Sequence, residues 1–255
     1  MGDLDRMKTI TICNQKGGVA KTTTAAIIAA GLSLRGLSVL ALDLDPQYSL
    51  TSICCEEYRY TIADVIEGRV PFVRAIAETG QGFSIVPGDL RFSGDTLSFS
   101  LESVKKLLRT VSKDYDFCII DTPPALSINT LSALIASNYC IIPAKPDIMS
   151  YNGLMQLNQT IEAVNNKYGV PAVLGILLTP YDASAPLDRS MLEAFTAAAD
   201  TFGTTVFRST VRSSRYIGKT QLWKESIFSF RPRSAIAQDC NNLIDEIIER
   251  IDNDK

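Results

Sequence analysis

Two lysines and two glycines in Asn14-Gln-Lys-Gly-Gly-Val-Ala-Lys-Thr-Thr23 are spaced for work on a phosphate. Gly17 and Gly18 permit a tight turn whose successive N–H groups, Val19 and Ala20 included, can point at an anion. A helix starting just after them adds the positive end of its dipole. Lys21 can then reach terminal phosphates as a point charge, and the Thr22 hydroxyl can ligate Mg²⁺. The spacing nevertheless departs from G-x-x-x-x-G-K-[ST]. Gln15 and Ala20 stand where the two glycines belong, and Lys16 is an extra cation. A positive φ at Ala20 would cost about 1–2 kcal/mol.

Such a loop needs a strand before it and a helix after it. The apolar run 8–13 supplies the first, and 22–35 reads as the second. Further strands are predicted at 38–43, 83–87, 116–121, 139–143, 172–178 and 204–207. Helices are predicted at 98–112, 127–136, 150–168, 187–202 and 235–252, with short ones in 54–82. Continuous apolar strands separated by helices indicate an α/β fold, a doubly wound, mainly parallel sheet with helices on both faces. No linker or repeat divides the chain, so 1–255 reads as one domain with 1–7 as an unstructured extension. Ligands of such sheets bind beyond the carboxyl ends of the strands. Those ends carry the glycine loop, Asp43-Leu-Asp45-Pro-Gln47, Asp121-Thr-Pro-Pro124 and Pro143-Ala-Lys-Pro-Asp147. Asp121 is placed to hold a metal's water shell, as a Walker B carboxylate does.

The absence of histidine among the 255 residues narrows the chemistry. It excludes Ser-His-Asp catalysis, imidazole acid–base work and His-ligated zinc. Carboxylates, lysines, hydroxyls, backbone amides and an oxygen-bound metal remain. Cys13, Cys118 and Cys140 lie in strand-like runs and read as small core hydrophobes, and no C-x-x-C pair occurs among the six cysteines. No apolar run approaches the ~18 residues of a membrane span. The acidic N-terminus does not read as a signal peptide. Net charge is −3 with 21% charged residues, as in ordinary globular proteins.

Lys16-Gly-Gly-Val-Ala-Lys21-Thr22 fits K-G-G-x-x-K-[ST], and with it the chain resembles the ParA/MinD family of deviant Walker A P-loop ATPases. Asn14-Gln15, Asp43-Leu-Asp45-Pro-Gln47 and Asp121-Thr-Pro-Pro124 extend the resemblance over about residues 8–250. It implies ATP and Mg²⁺ as ligands and a sandwich homodimer in which Lys16 crosses to the partner's nucleotide. It also implies Lys21 on the β- and γ-phosphates, Thr22 on the metal and Thr23 on a phosphate. Asp45 would position the attacking water, Asp43 would support the metal shell, and Arg212 would sit at the adenine base.

Within that family, residues 235–255 hold six acids and two bases, unlike a basic membrane-binding helix. Cys118 and Cys140, inside strands, do not suit a surface iron–sulfur cluster. Residues 203–233 carry Arg208, Arg212, Arg215, Lys219, Lys224, Arg231 and Arg233 against Glu225 alone. Such clustering in an acidic chain suits phosphate backbones. The expected DNA contacts are Arg208, Arg215, Lys219, Arg231 and Arg233. With no helix-turn-helix expected ahead of the loop, the chain resembles the short chromosomal (Soj-like) ParA type. That resemblance implies a cytoplasmic, nucleoid-associated partition ATPase stimulated by a ParB-like partner, with no membrane contact. A positioning ATPase for another cargo and a metabolic synthetase of related fold remain alternatives.

Overall fold

The computed structural model describes residues 7–93 and 99–254. β1 (Lys8–Ile12) lies between β5 (Phe117–Asp121) and β6 (Tyr139–Ala144), with β2 (Val39–Asp43) beyond β5 and β7 (Ala172–Leu178) beyond β6. β4 (Ser84–Val86) continues the parallel sheet from β2, and the short β3 (Ala77–Glu78) closes that edge antiparallel. The order β3-β4-β2-β5-β1-β6-β7 is a doubly wound sheet of seven strands, as the apolar runs predict.

Alternation along the strands divides the core. Ile10, Ile12, Ala41, Ile119 and Ile141 face one side, packing on α1 (Lys21–Leu34), α2 (Ser49–Cys54), α9 (Ile227–Phe230) and α10 (Ala235–Asn253). On the opposite side Leu40, Leu42, Cys118, Ile120, Ile142 and Ile176 meet α3 (Ile62–Ile66), α4 (Ser103–Arg109), α5 (Ile128–Ala136), α6 (Ile148–Tyr168) and α7 (Pro186–Thr201). All six cysteines are buried thiols, those in the strands packing as hydrophobes. No helix of the described residues is long and apolar enough to cross a membrane.

Three regions differ from expectation. Residues 204–207 form only an isolated parallel bridge, Val206 with Ile176, rather than a strand. The Arg250 guanidinium occupies the neighbouring carbonyls, donating to Leu174 O at 2.7 Å and Val206 O at 3.0 Å. It sits over Phe207 and against Gly175, where a Cβ would come within 2.6 Å of both side chains. Second, α8 (Arg215–Trp223) and α9 occupy a stretch without predicted helices. Ser214 and Ser226 cap their first turns. Third, Met7 is not a loose extension residue but is buried in the core cluster that also holds Leu40 and Val111; residues 1–6 lie outside the described residues. The helix predicted at 98–112 is ordered as α4, and residue 98 also lies outside them.

Candidate nucleotide site at the carboxyl edge

The loop between β1 and α1 is pinned from beneath. The buried Asn14 amide donates to Pro143 O at 2.7 Å, and its carbonyl oxygen accepts from the Lys16 N–H at 2.9 Å. Gly17 and Gly18 are exposed, and Gly18 has φ +70°, a conformation that glycine adopts without penalty. Val19 is wholly buried and anchors the turn. Ala20 caps α1 with φ 63° and ψ 27°. The chain therefore accepts the left-handed cost at the residue where glycine would remove it.

Lys21 opens α1, is 7% exposed, and donates to Lys16 O at 3.2 Å. Burial lowers its pKa, and Asp121 and Asp45 oppose that shift. Asp43 and Asp121 are register neighbours on β2 and β5. Asp43 is already engaged: Oδ2 accepts from the Thr51 N–H and hydroxyl, both at 2.8 Å, and Oδ1 from the Asp45 N–H at 3.2 Å. Burial still pushes its carboxyl up to about 6. Asp45 accepts from the Gln47 N–H at 2.9 Å, which fixes the turn after β2.

Asp121 is fully buried, and neither oxygen has a partner with hydrogen-bond geometry among the described residues. Burial, and then the charges of Asp43 and Asp45, raise its pKa well above the carboxylate range; Thr22 and Lys21 offset part of this. A buried carboxyl left unpartnered costs about 1–3 kcal/mol or more, so its persistence beside a phosphate-type loop points to a ligand. The donor set is all oxygen, which suits a hard divalent cation. No cluster of three or more His, Cys, Asp or Glu able to hold a metal occurs among the described residues. The site thus fits an ion shared with phosphates and water better than one caged by protein.

Lys16 does not point into its own loop. Its Nζ lies 2.7 and 2.8 Å from the two oxygens of Asp147 and 3.2 Å from the Ser150 hydroxyl. Thr23 accepts from the Gln221 amide of α8 at 3.0 Å. Two residues of the turn after β6, in the strand-end run Pro143-Ala-Lys-Pro-Asp147, carry no motif that assigns them a role. Asp147 is the N-cap of α6, and the Lys145 ammonium lies 3.9 Å from where a Cβ on Gly18 would be. The signal was available in that turn's position at a strand end. Lys21, Thr22, Asp43, Asp45 and Asp121 therefore converge, while the Lys16 ammonium turns to the start of α6. Arg212, the expected adenine contact, is exposed and held by Asp239 of α10 at 2.6 and 2.9 Å.

The predicted DNA contacts divide as well. Arg208 is paired with Glu249 and lies 3.7 Å from Glu246. Arg215 and Arg231 stack on Tyr216, at 5.6 and 5.5 Å from the ring centre. Neither they nor Lys219 and Arg233 form an ion pair among the described residues.

Residues 7–171 match the family described as "AAA domain". The chain is 30% identical to the chromosome-partitioning ATPase Soj of Treponema pallidum, over 95% of this chain and 98% of that protein. Its fold superposes on cobyrinic acid a,c-diamide synthase from Mycobacterium smegmatis, solved with ADP and magnesium. That match has TM-score 0.75 and 29% identity, covering 86% of this chain and 92% of the other. Apo McdA from Cyanothece matches with TM-score 0.82 at 22% identity, over 96% and 99% of the two chains. On its loop, its strand-end carboxylates and these relatives, the chain belongs to the ParA/MinD family of deviant Walker A ATPases and stands with its Soj-like partition members.

Proposed function

We propose that this partition-type ATPase binds Mg-ATP at the carboxyl edge and pairs two subunits across it. The pair would then hold duplex DNA without sequence preference until a ParB-like partner stimulates hydrolysis. The observation that carries the reading is Asp121, fully buried beside Lys21 and Thr22, with no partner of hydrogen-bond geometry for either oxygen among the described residues. A bound magnesium ion would neutralise phosphate charge there, held by Thr22 and, through water, by Asp121. The chain's own part is positioning: the loop amides and Lys21 fix the phosphates, and Asp45 orients water. Hydrolysis in this class rests on placement and charge rather than on covalent help.

Arg215, Lys219, Arg231 and Arg233 support the DNA reading because, among the described residues, their charge is not spent on acids. One subunit offers few phosphate contacts, and pairing doubles them. If all engage, the log–log salt slope of a pair reaches about −7, at roughly 0.9 per phosphate. The test is a titration of unrelated duplexes with ATP, ADP and no nucleotide at two salt concentrations. Tight binding with ATP alone, falling steeply with salt, is expected. Binding indifferent to nucleotide would discard the DNA-carrier reading in favour of another cargo. Turnover only with a small carboxylate or amine substrate would favour a synthase, the class of one structural relative.

A further inference from the structure

We infer that Asp147 is a positioning residue that holds Lys16 in its own subunit and so opposes nucleotide-driven pairing. The inference rests on the two-lysine reading above, in which Lys16 acts across the subunit interface. In the single chain that lysine is already occupied, with both Asp147 oxygens within 2.8 Å of Nζ and the Ser150 hydroxyl at 3.2 Å. The contact is partly shielded, since the Lys16 and Asp147 side chains are 25% and 38% exposed.

Asp147 is well placed to act as a latch because its other contacts keep it still. Its Oδ1 accepts from the Ser150 N–H at 2.7 Å, capping the 21-residue helix α6. Its own N–H donates to Lys145 O at 2.8 Å across the turn. Partial burial works against its charge. The hydrogen bonds from Lys16 and Ser150 nevertheless hold its pKa below the usual value, so the carboxylate stays ionised at neutral pH. Ile148 and Met149, next along, are 65% and 72% exposed. Lys16 cannot satisfy Asp147 and reach a second subunit's phosphates together. Pairing must therefore break two such contacts, one in each subunit, and only a stronger anion compensates both lysines. In this way the latch makes pairing depend on nucleotide.

Asn and Ser cap helices about as well as Asp. Asp147→Asn keeps the cap and removes the charge, and Asp147→Ser keeps the cap but is too short to reach the lysine. Each partly exposed ion pair is worth up to about fivefold. Two are released per pair, so both variants should pair at roughly 10- to 25-fold lower protein concentration with Mg and a non-hydrolysable ATP analogue. Sedimentation velocity reads this. Without nucleotide neither should pair more than wild type. A second readout needs no pairing: Lys16 in the nucleotide-free protein, followed by peptide mass spectrometry during amine labelling, should react several-fold faster in Asp147→Asn.

Wild-type pairing midpoints in both variants, weaker pairing, or unchanged Lys16 labelling would overturn the latch. Lys16→Ala run in parallel separates the two claims. Loss of pairing in Lys16→Ala, with no gain in the Asp147 variants, discards the latch alone. Lys16→Ala pairing like wild type discards the two-lysine reading and the latch with it.

Discussion

Asp121 and Glu246 are both buried carboxylates, yet they stand in opposite circumstances. Asp121, at the end of β5, has no partner with hydrogen-bond geometry for either oxygen among the described residues. Glu246, on α10, accepts from the Arg208 N–H at 3.0 Å, the Ser209 N–H at 2.7 Å and the Arg250 guanidinium at 2.7 Å. Burial raises its pKa, but these hydrogen bonds outweigh that and leave it lowered. A buried carboxyl with its partners in place is architecture, and one without them awaits a ligand. The same distinction sorts the cations. Arg250, Arg208 and Arg212 are tied to acids of α10, whereas Lys21 faces an edge that presents backbone amides and unsatisfied carboxylate.

The largest test of this contrast is Lys21→Ala. It removes the cation proposed to meet the phosphates and takes a positive charge from beside Asp121, so nucleotide affinity should fall by about 3 kcal/mol, over a hundredfold. The fold should survive because the lysine, although buried, bonds only within its own loop, to Lys16 O at 3.2 Å, and stands outside the apolar core among the described residues. Calorimetric titration with ATP and magnesium reads it, and a loss below about fivefold would deny the edge its ligand.

Glu246→Ala should do the reverse. Removing one partner of a buried, bonded charge network costs about 3 kcal/mol, or roughly 6–12 °C of melting temperature at this chain length, while the folded protein keeps its nucleotide affinity. The pH sign follows from the lowered pKa. The stabilisation is complete above the unfolded value near 4.3 and is lost as pH falls through the lower folded value. The wild-type advantage over Glu246→Gln should therefore shrink on acidification below about pH 4. An advantage that grew would contradict the pairing.

Ala20→Gly is a smaller change on the ligand side. Relief of the left-handed backbone should stabilise the chain by about 1 kcal/mol, less the extra freedom glycine gains when unfolded. Chemical denaturation reads that difference. A loss of stability would mean that the Ala20 methyl, not its backbone, matters to the loop.

Ala20 also marks how far the sequence could be read. The K-G-G-x-x-K-[ST] spacing located the phosphate loop, and apolar runs located the parallel strands, because each depends on local pattern. Even the possible backbone cost at Ala20 was visible, although its φ was not. Two features depended on tertiary partners instead. Residues 204–207 have the composition of a strand, but Arg250, over forty residues later, takes the carbonyls beside it. The basic run 203–233 looks uniform in sequence, yet the acids that neutralise Arg208 and Arg212 lie on α10. Charge counting within a window does not see across the fold.

The smallest expected effect follows from that last point and tests the comparison where it is most exposed. If DNA is held by cations whose charge is free, Arg208→Ala and Arg231→Ala should differ although both remove one arginine near the C-terminus. Arg208 must leave Glu249 and Glu246 before it can meet a phosphate, and its desertion would cost about what the new contact returns. Among the described residues Arg231 gives up stacking over Tyr216 and Phe230, at 5.5 and 5.7 Å, and no ion pair, so its charge stays available. In the ATP-bound state, Arg231→Ala should lower the salt slope by about 0.9 per subunit and weaken binding equally on unrelated duplexes. Arg208→Ala should leave the slope unchanged and alter thermal stability slightly instead. Fluorescence anisotropy at four salt concentrations reads both slopes. Equal losses for the two variants would show that Arg208 breaks its ion pairs to bind, and that pairing with an acid does not separate structural from ligand-facing charge in this region.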